Sequence, residues 1–150
     1  MNIWLGVWFN MAFYRISCSY LCFISTADIE VGRTLEFPKG SMVAIDRGYN
    51  DYAWYNQLTE KGIFFVARLK SSAKTRAVSR RPVLSSKRLS SDQTIEFTGA
   101  QTAKKCRIQL RRIDYHDLET GKHYIFQTNN FKLPGQLPIS TWQGGRWSCF

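Results

Sequence analysis

Acidic side chains are scarce in this sequence: eleven Asp and Glu stand against twenty-one Lys and Arg, a formal net charge of +10. So basic a chain repels basic partners and suits a polyanion, nucleic acid before others. Cysteine is sparse as well. Cys18, Cys22, Cys106 and Cys149 have no paired spacing, which argues against a disulfide framework or a zinc knuckle and predicts a reduced, cytoplasmic protein. The only histidines, His116 and His123, lie at no ligand spacing from a cysteine and read as polar surface residues. Long apolar runs are lacking too. The aromatic-rich stretch over residues 1–25 is divided by Arg15 and diluted by Asn2, Asn10, Ser17 and Ser19, whereas a membrane span needs about 20 apolar residues. Its start lacks the basic residues of a signal peptide, so no stable membrane association is expected. No internal repeat is visible.

What is present is a local concentration of charge. A length of 150 residues fits one domain or part of a larger one. Residues 68–112 hold thirteen basic side chains and two acidic ones, Asp92 and Glu96, while the rest of the chain holds eight basic and nine acidic. The plain explanation of such a field is a solvated basic face, and the functional one is a surface for phosphates.

The most regular stretch begins at the turn signal Pro38-Lys39-Gly40, followed by the apolar run Met42 to Ile45 and then Asp46. This predicts a short strand ending at Asp46. Gly48 relaxes the backbone, Asn50 or Asp51 can cap a helix over 51–61, and Trp54, Tyr55 and Leu58 give that helix one apolar face, with Gly62 as its stop. The run IFFVARLK (63–70) reads as a strand buried on both faces. Strand, helix and strand in so short a span predict a parallel pair. A carboxylate at the carboxyl end of the first strand, here Asp46, lies where α/β sheets place their chemistry. Residues 71–88 read as a loop or irregular arm of Ser, Lys and Arg. QTIEFTG, CRIQLRRIDY and HYIFQTNNF alternate with period two, and the turn Glu119-Thr120-Gly121-Lys122 joins the last two into a hairpin of an antiparallel patch. In it Arg107, Gln109 and Arg111 are expected to form a basic face. Residues 135–150 specify no element.

The string FPKGSMVAIDRGYNDYAWYNQLTEKGIFFVARLK resembles the second catalytic-Asp segment of bacterial insertion-sequence DDE transposases of the IS-four family. The resemblance continues through LSSDQTIEFTG and KKCRIQLRRIDYHDLETGKHYIFQTNNFKL, covering about residues 26–134. It implies an α/β chain with a partial ribonuclease-H-like fold and a β-rich insertion at about 71–123. It also implies three carboxylates holding two Mg2+ ions for phosphoryl transfer to DNA. By carry-over Asp46 is the second catalytic carboxylate and a metal ligand, with Arg47, Gly48 and Tyr49 completing its motif. The DNA-contacting residues expected on this basis and from the basic arm are Arg47, Tyr49, Arg68, Lys70, Arg76, Arg80, Arg81, Lys87 and Arg88. The partners implied are the DNA ends of an insertion sequence and a second copy of the transposase.

The departures from the family pattern are equally specific. The first catalytic Asp should lie well before Asp46, yet Asp28 sits in TADIEVGR, which resembles the connecting segment after the first strands. The third carboxylate belongs to a helix with a Tyr, Arg, Glu, Lys signature just beyond Leu133, where this chain has a Gly-rich string instead. With suitable codons, residues 136–149 read two nucleotides later become IADIYMARRQVELF, which restores Tyr, Arg and Glu in order. The expectation is therefore a truncated or frameshifted transposase fragment: 1–25 unassigned, 26–134 a partial catalytic domain, 135–150 an out-of-frame tail. It would be inactive alone and hold no metal tightly. The alternative is a non-catalytic basic DNA-binding module.

Overall fold

A computed structural model describes residues 21–24, 33–34, 36–45, 50–83, 88–132, 142–143 and 146–147. Among these, β1 (Leu21–Ile24), β2 (Met42–Ile45), α1 (Tyr52–Glu60), β3 (Phe64–Arg68), β4 (Thr75–Arg80), β5 (Leu89–Phe97), α2 (Ala100–Lys105), β6 (Leu110–His116) and β7 (His123–Thr128) follow in chain order. Strands β1 to β7 form one sheet of order β1-β2-β3-β7-β6-β5-β4. The chain is thus mixed α/β.

The strand, helix, strand unit forms for local reasons. All four residues of β2 are buried, as a run without polar alternation requires. It lies parallel to β3, with Met42 opposite Phe64 and Ile45 opposite Ala67. β1 runs parallel to β2 on the other side. Asp51 caps α1 by accepting from the Ala53 and Trp54 backbone N–H groups at 3.2 and 3.3 Å, and also pairs with Arg33. Asn50, the other candidate cap, instead accepts from the Tyr55 hydroxyl at 2.9 Å and from Gln127 at 2.6 Å. The helix closes in a Schellman turn: Ile63 N–H donates to Leu58 at 2.8 Å and Gly62 N–H to Thr59 at 3.0 Å. Gly62 has φ +70°, a left-handed conformation that only glycine adopts freely.

Period-two alternation then sorts side chains to the two faces of the sheet. Val43, Ile45, Phe65, Ala67, Ile95, Phe97 and Leu110 pack with Trp54, Tyr55 and Leu58 of α1 and with Cys106. Tyr55 stacks on Phe65 at 4.3 Å. Burial pushes the Cys106 thiol up to about 11, so it stays protonated and unreactive at neutral pH. Ala44, Val66, Ile113, Tyr124 and Phe126 form a second cluster.

The Thr-Asn-Asn string fastens β7 to the α1 unit. Thr128 donates its hydroxyl to the Phe65 carbonyl. The Asn129 side chain accepts from Phe65 N–H at 2.9 Å and donates to the Thr59 hydroxyl at 2.8 Å and the Ile63 carbonyl at 2.9 Å. Replacing Asn129 by alanine leaves the Phe65 N–H of β3 and the Ile63 carbonyl just before it without this partner and should cost about 2–3 kcal/mol. Urea denaturation checks this, and Asn129→Asp should cost at least as much, because its second carboxylate oxygen cannot donate to the Ile63 carbonyl.

Several expectations need correction. Residues 71–88 are not an irregular arm throughout, because Thr75–Arg80 form the edge strand β4 antiparallel to β5, with a bulge between Ala77 and Ser79. Five of its six residues are exposed, so no apolar alternation marks it. Residues 106–109 precede β6 rather than belonging to it, and AQTAKK forms the short helix α2. Within 135–150, Trp142–Gln143 (β8) pairs with Arg146–Trp147 (β9), so that segment does carry an element. The hairpin of β6 and β7 is antiparallel and its turn uses Gly121 at φ +67°, as the sequence predicts.

Candidate nucleic-acid interface

Asp46, Arg47, Tyr49 and Lys87 lie outside the described residues. What is described is their setting: β2 ends at Ile45 beside Ala67 of β3, so the carboxyl ends of two parallel strands stand side by side. Arg68 is the last residue of β3. Its guanidinium lies over the Tyr124 ring at 4.9 Å, which fixes a planar cation at the strand end. Lys70 follows and is exposed. Together with Leu69, Ser71, Ser72, His123 and Ile125 these two residues line an open concavity of about 510 Å³. The hollow is thus lined by an exposed lysine, two serines and an imidazole, with Arg68 at the strand end, groups of the kind that can donate to an anionic oxygen. His123 also stacks on His116 across the hairpin at 4.2 Å with the rings nearly parallel, so the two histidines are a cross-strand pair rather than separate surface residues.

Several charges of the basic arm are already engaged by carboxylates. Arg76 pairs with Glu96 at 2.9 Å. The Gln109 amide and then Arg76 hold the Glu96 carboxyl below its ordinary range by hydrogen bonding. Arg81 reaches Asp92 at 3.2 Å and the Thr94 hydroxyl at 3.1 Å, and its guanidinium lies over the Phe131 ring at 5.2 Å. Arg80 and Arg88 are exposed. Arg88 is near enough to lower the Asp117 carboxyl, after the larger effects of the Thr120 hydroxyl and the Glu119 N–H. Arg76 and Arg80 lie on β4, Arg81 just after it and Arg88 just before β5, and Arg76 and Arg81 each hold a carboxylate.

Arg111 overturns the expected basic face. It is 4 % exposed and grips Asp92 through Nε at 2.9 Å and NH2 at 2.5 Å, with NH1 3.4 Å from the Asn130 carbonyl. Strand alternation puts Arg111 on the same face as Ile113, opposite Thr94 and Thr128, so it is a structural ion pair. Arg112 pairs with Asp114 at 2.8 Å. The signal for this was present: Asp92 is one of only two acids in residues 68–112, and a lone carboxylate among cations on a strand is a candidate buried partner.

The carboxylates described do not suit a pair of magnesium ions. Among the described residues no group of three His, Cys, Asp or Glu side chains could hold a metal. Asp92 and Asp114 hold arginines, Asp51 caps a helix, and Asp117 caps its own turn through Glu119 N–H and Thr120. Also among these residues, no helix is long and apolar enough to cross a membrane.

Comparison with known proteins gives the geometry its context. The chain is 28 % identical over 124 residues to a protein of Sinorhizobium fredii (strain NGR234) that carries the name of a transposase, y4zB. The match covers 80 % of this chain and 34 % of the relative, so the chain spans about a third of that protein's length. No solved structure matches the chain significantly. Residues 19–138 match the family described as the transposase DDE domain, and the chain belongs to that family.

Proposed function

We propose that this chain is part of the catalytic domain of an IS-four insertion-sequence transposase, a cytoplasmic DNA-binding protein that cannot cut DNA by itself. The observation that carries the reading is the parallel pair β2 and β3. Asp46 follows β2 directly in the chain, and the end of β3 opens onto the concavity of Arg68 and Lys70. The family match over residues 19–138 supports it. On this reading residues 26–134 are a partial ribonuclease-H-like domain with a β-rich insertion at about 71–123. Residues 1–25 are unassigned and 135–150 are an out-of-frame tail. Asp46 is a metal ligand of the complete enzyme, whose Mg2+ supplies Lewis-acid chemistry at DNA phosphate. Arg47 and Tyr49 complete its motif, and Arg68, Lys70, Arg80, Lys87 and Arg88 contact the DNA backbone. Arg76 and Arg81 contribute less, because each already has a carboxylate partner.

Binding should be insensitive to base sequence and steeply salt-dependent, since phosphate contacts carry charge and no sequence information. The variant Arg80→Gln/Lys87→Gln/Arg88→Gln, which spares the structural Arg81, should weaken binding to all duplexes alike. It should also reduce the salt slope by about 0.9 for each phosphate that is no longer neutralised. Fluorescence anisotropy with unrelated duplexes measures both, and an unchanged slope would remove these residues from the interface.

A further inference from the structure

We propose that Lys74, Lys104, Lys105 and Arg107 form a second contact for duplex DNA, continuing the hollow of Arg68 and Lys70 into one phosphate-binding track. The proposal rests on the reading of the chain as a DNA-binding transposase part, and three of its four residues, Lys104, Lys105 and Arg107, lie beyond the basic arm.

The four cations gather around the short helix α2. Lys104 and Lys105 occupy its last turn, and Arg107 follows two residues beyond the helix end. Lys74 joins them from β4's approach: its carbonyl accepts from Thr98 N–H at 2.9 Å, and its Cβ lies 4.0 Å from where a Cβ on Gly99, the residue before α2, would stand. All four are exposed, and none makes an ion pair with a described residue. The nearby acid, Glu96, is already held by Arg76 and Gln109. Lysines in the last turn of a helix are accounted for by the dipole, but Lys74 and Arg107 lie outside the helix, so that explanation leaves half the cluster untouched.

The backbone beneath these side chains is fixed. Cys106 is 3 % exposed in the main core, Ile108 packs against the same cluster, and the Asn56 side chain of α1 donates to the Lys105 carbonyl. A charged surface on an anchored backbone loses less freedom on binding than the same charges on a tail. Its dimension also suits a duplex. Six helical residues span about 9 Å, and B-DNA carries one phosphate per about 1.7 Å of axis, so about five phosphates lie within the length of α2.

Continuity with the hollow comes from the chain itself. Lys70, Ser71 and Ser72 line the concavity, and Lys74 is two residues further on. The turn between them, closed by Ala73 N–H to the Lys70 carbonyl at 3.0 Å, keeps the two patches closer than the roughly 14 Å of four extended residues. Leu69 and Ala73 pack against the core, so this connecting segment is anchored like α2.

The test uses the full 150-residue chain and a mixed-sequence 30-base-pair duplex, with affinity followed by anisotropy across salt concentrations. Lys104→Gln/Lys105→Gln/Arg107→Gln should lower the salt slope by about 2–3 and the affinity at low salt at least about tenfold. Glutamine keeps helix propensity near that of lysine, and circular dichroism checks that the variant stays folded. The control Lys61→Gln/Lys122→Gln/Lys132→Gln removes the same net charge from exposed positions elsewhere and should change the slope by less than about 1. Equal weakening by the two variants, or an unchanged slope in the α2 variant while Arg80→Gln/Lys87→Gln/Arg88→Gln lowers it, would overturn the track and leave the DNA reading standing. Absence of duplex binding by the unaltered chain would overturn both.

Discussion

Replacing Asp92 by alanine should destabilise the fold by about 3–5 kcal/mol, the largest loss expected from any single substitution outside the apolar core. Asp92 is 9 % exposed and Arg111 4 %, and Arg81 closes on the same carboxylate at 3.2 Å. Without the carboxylate, the buried Arg111 guanidinium loses its counter-charge and faces the partly exposed Arg81. A domain of ordinary stability, about 5–15 kcal/mol, would lose a large part of its margin. Removing both charges in Asp92→Ala/Arg111→Met should recover part of the loss, because the cost lies in the orphaned charge more than in the missing attraction. By contrast Arg76→Ala, at a pair whose arginine side chain is 70 % exposed, should cost less than about 1 kcal/mol.

Acid gives an independent reading of the same triad. Burial alone would raise the Asp92 carboxyl, but hydrogen bonds and charge from Arg111, then Arg81, outweigh it and hold the group below its ordinary value of 3.8. A carboxylate lowered on folding contributes stability that is fully present above its unfolded value and lost as pH falls through the folded one. Urea midpoints should therefore hold steady from neutral pH down to about 5 and drop below about 4. Asp92→Asn, which has no proton to take up, should lack that part of the drop. A wild-type midpoint in Asp92→Ala at pH 7 would contradict the structural role given to the triad.

How far this fold is legible in the sequence depends on where each element finds its stabilisation. The unit β2-α1-β3 carries its own instructions in a continuous apolar run, a capping Asp51, an apolar helix face and a left-handed Gly62, so local reading locates it within a residue or two. β4 does not. An edge strand with five exposed residues has no periodicity to detect, and its only specification is pairing with β5. α2 is hidden for a related reason: AQTAKK has no apolar face of its own, and it is held by the burial of Cys106 beyond its end and by Asn56 of another helix.

The site divides in the same way. The motif around Asp46 is recognisable as a string, because family likeness is a property of order along the chain. The fate of the basic residues is not, since whether an arginine meets solvent or a carboxylate depends on residues far away in sequence. Arg111 and Asp92 are separated by nineteen positions and meet only because β5 and β6 pair in a particular register. Counting charge in residues 68–112 therefore overstates the free field, and choosing contacts from the Ser-rich arm alone leaves out Lys104, Lys105 and Arg107, which the count includes but the arm does not.

The strongest functional expectation is that this chain leaves supercoiled DNA uncut in Mg2+, while a longer reading frame that supplies an upstream Asp and a downstream Glu cleaves and joins it. Two divalent cations at hydrolytic spacing carry four positive charges and need oxygen ligands on several sides. Asp46 offers one negative charge, with the cation Arg47 next to it in the chain. The described aspartates are committed elsewhere: Asp51 to the helix cap, Asp92 and Asp114 to arginines, Asp117 to its turn. In the longer protein Asp46→Asn should lower strand transfer by at least about a thousandfold, corresponding to about 4 kcal/mol of lost transition-state stabilisation. DNA binding by the same variant should change little, because phosphate affinity comes from the arginines and lysines. Nicking by the 150-residue chain itself, abolished by Asp46→Asn, would mean that other carboxylates complete the metal site and that the chain is an enzyme in its own right.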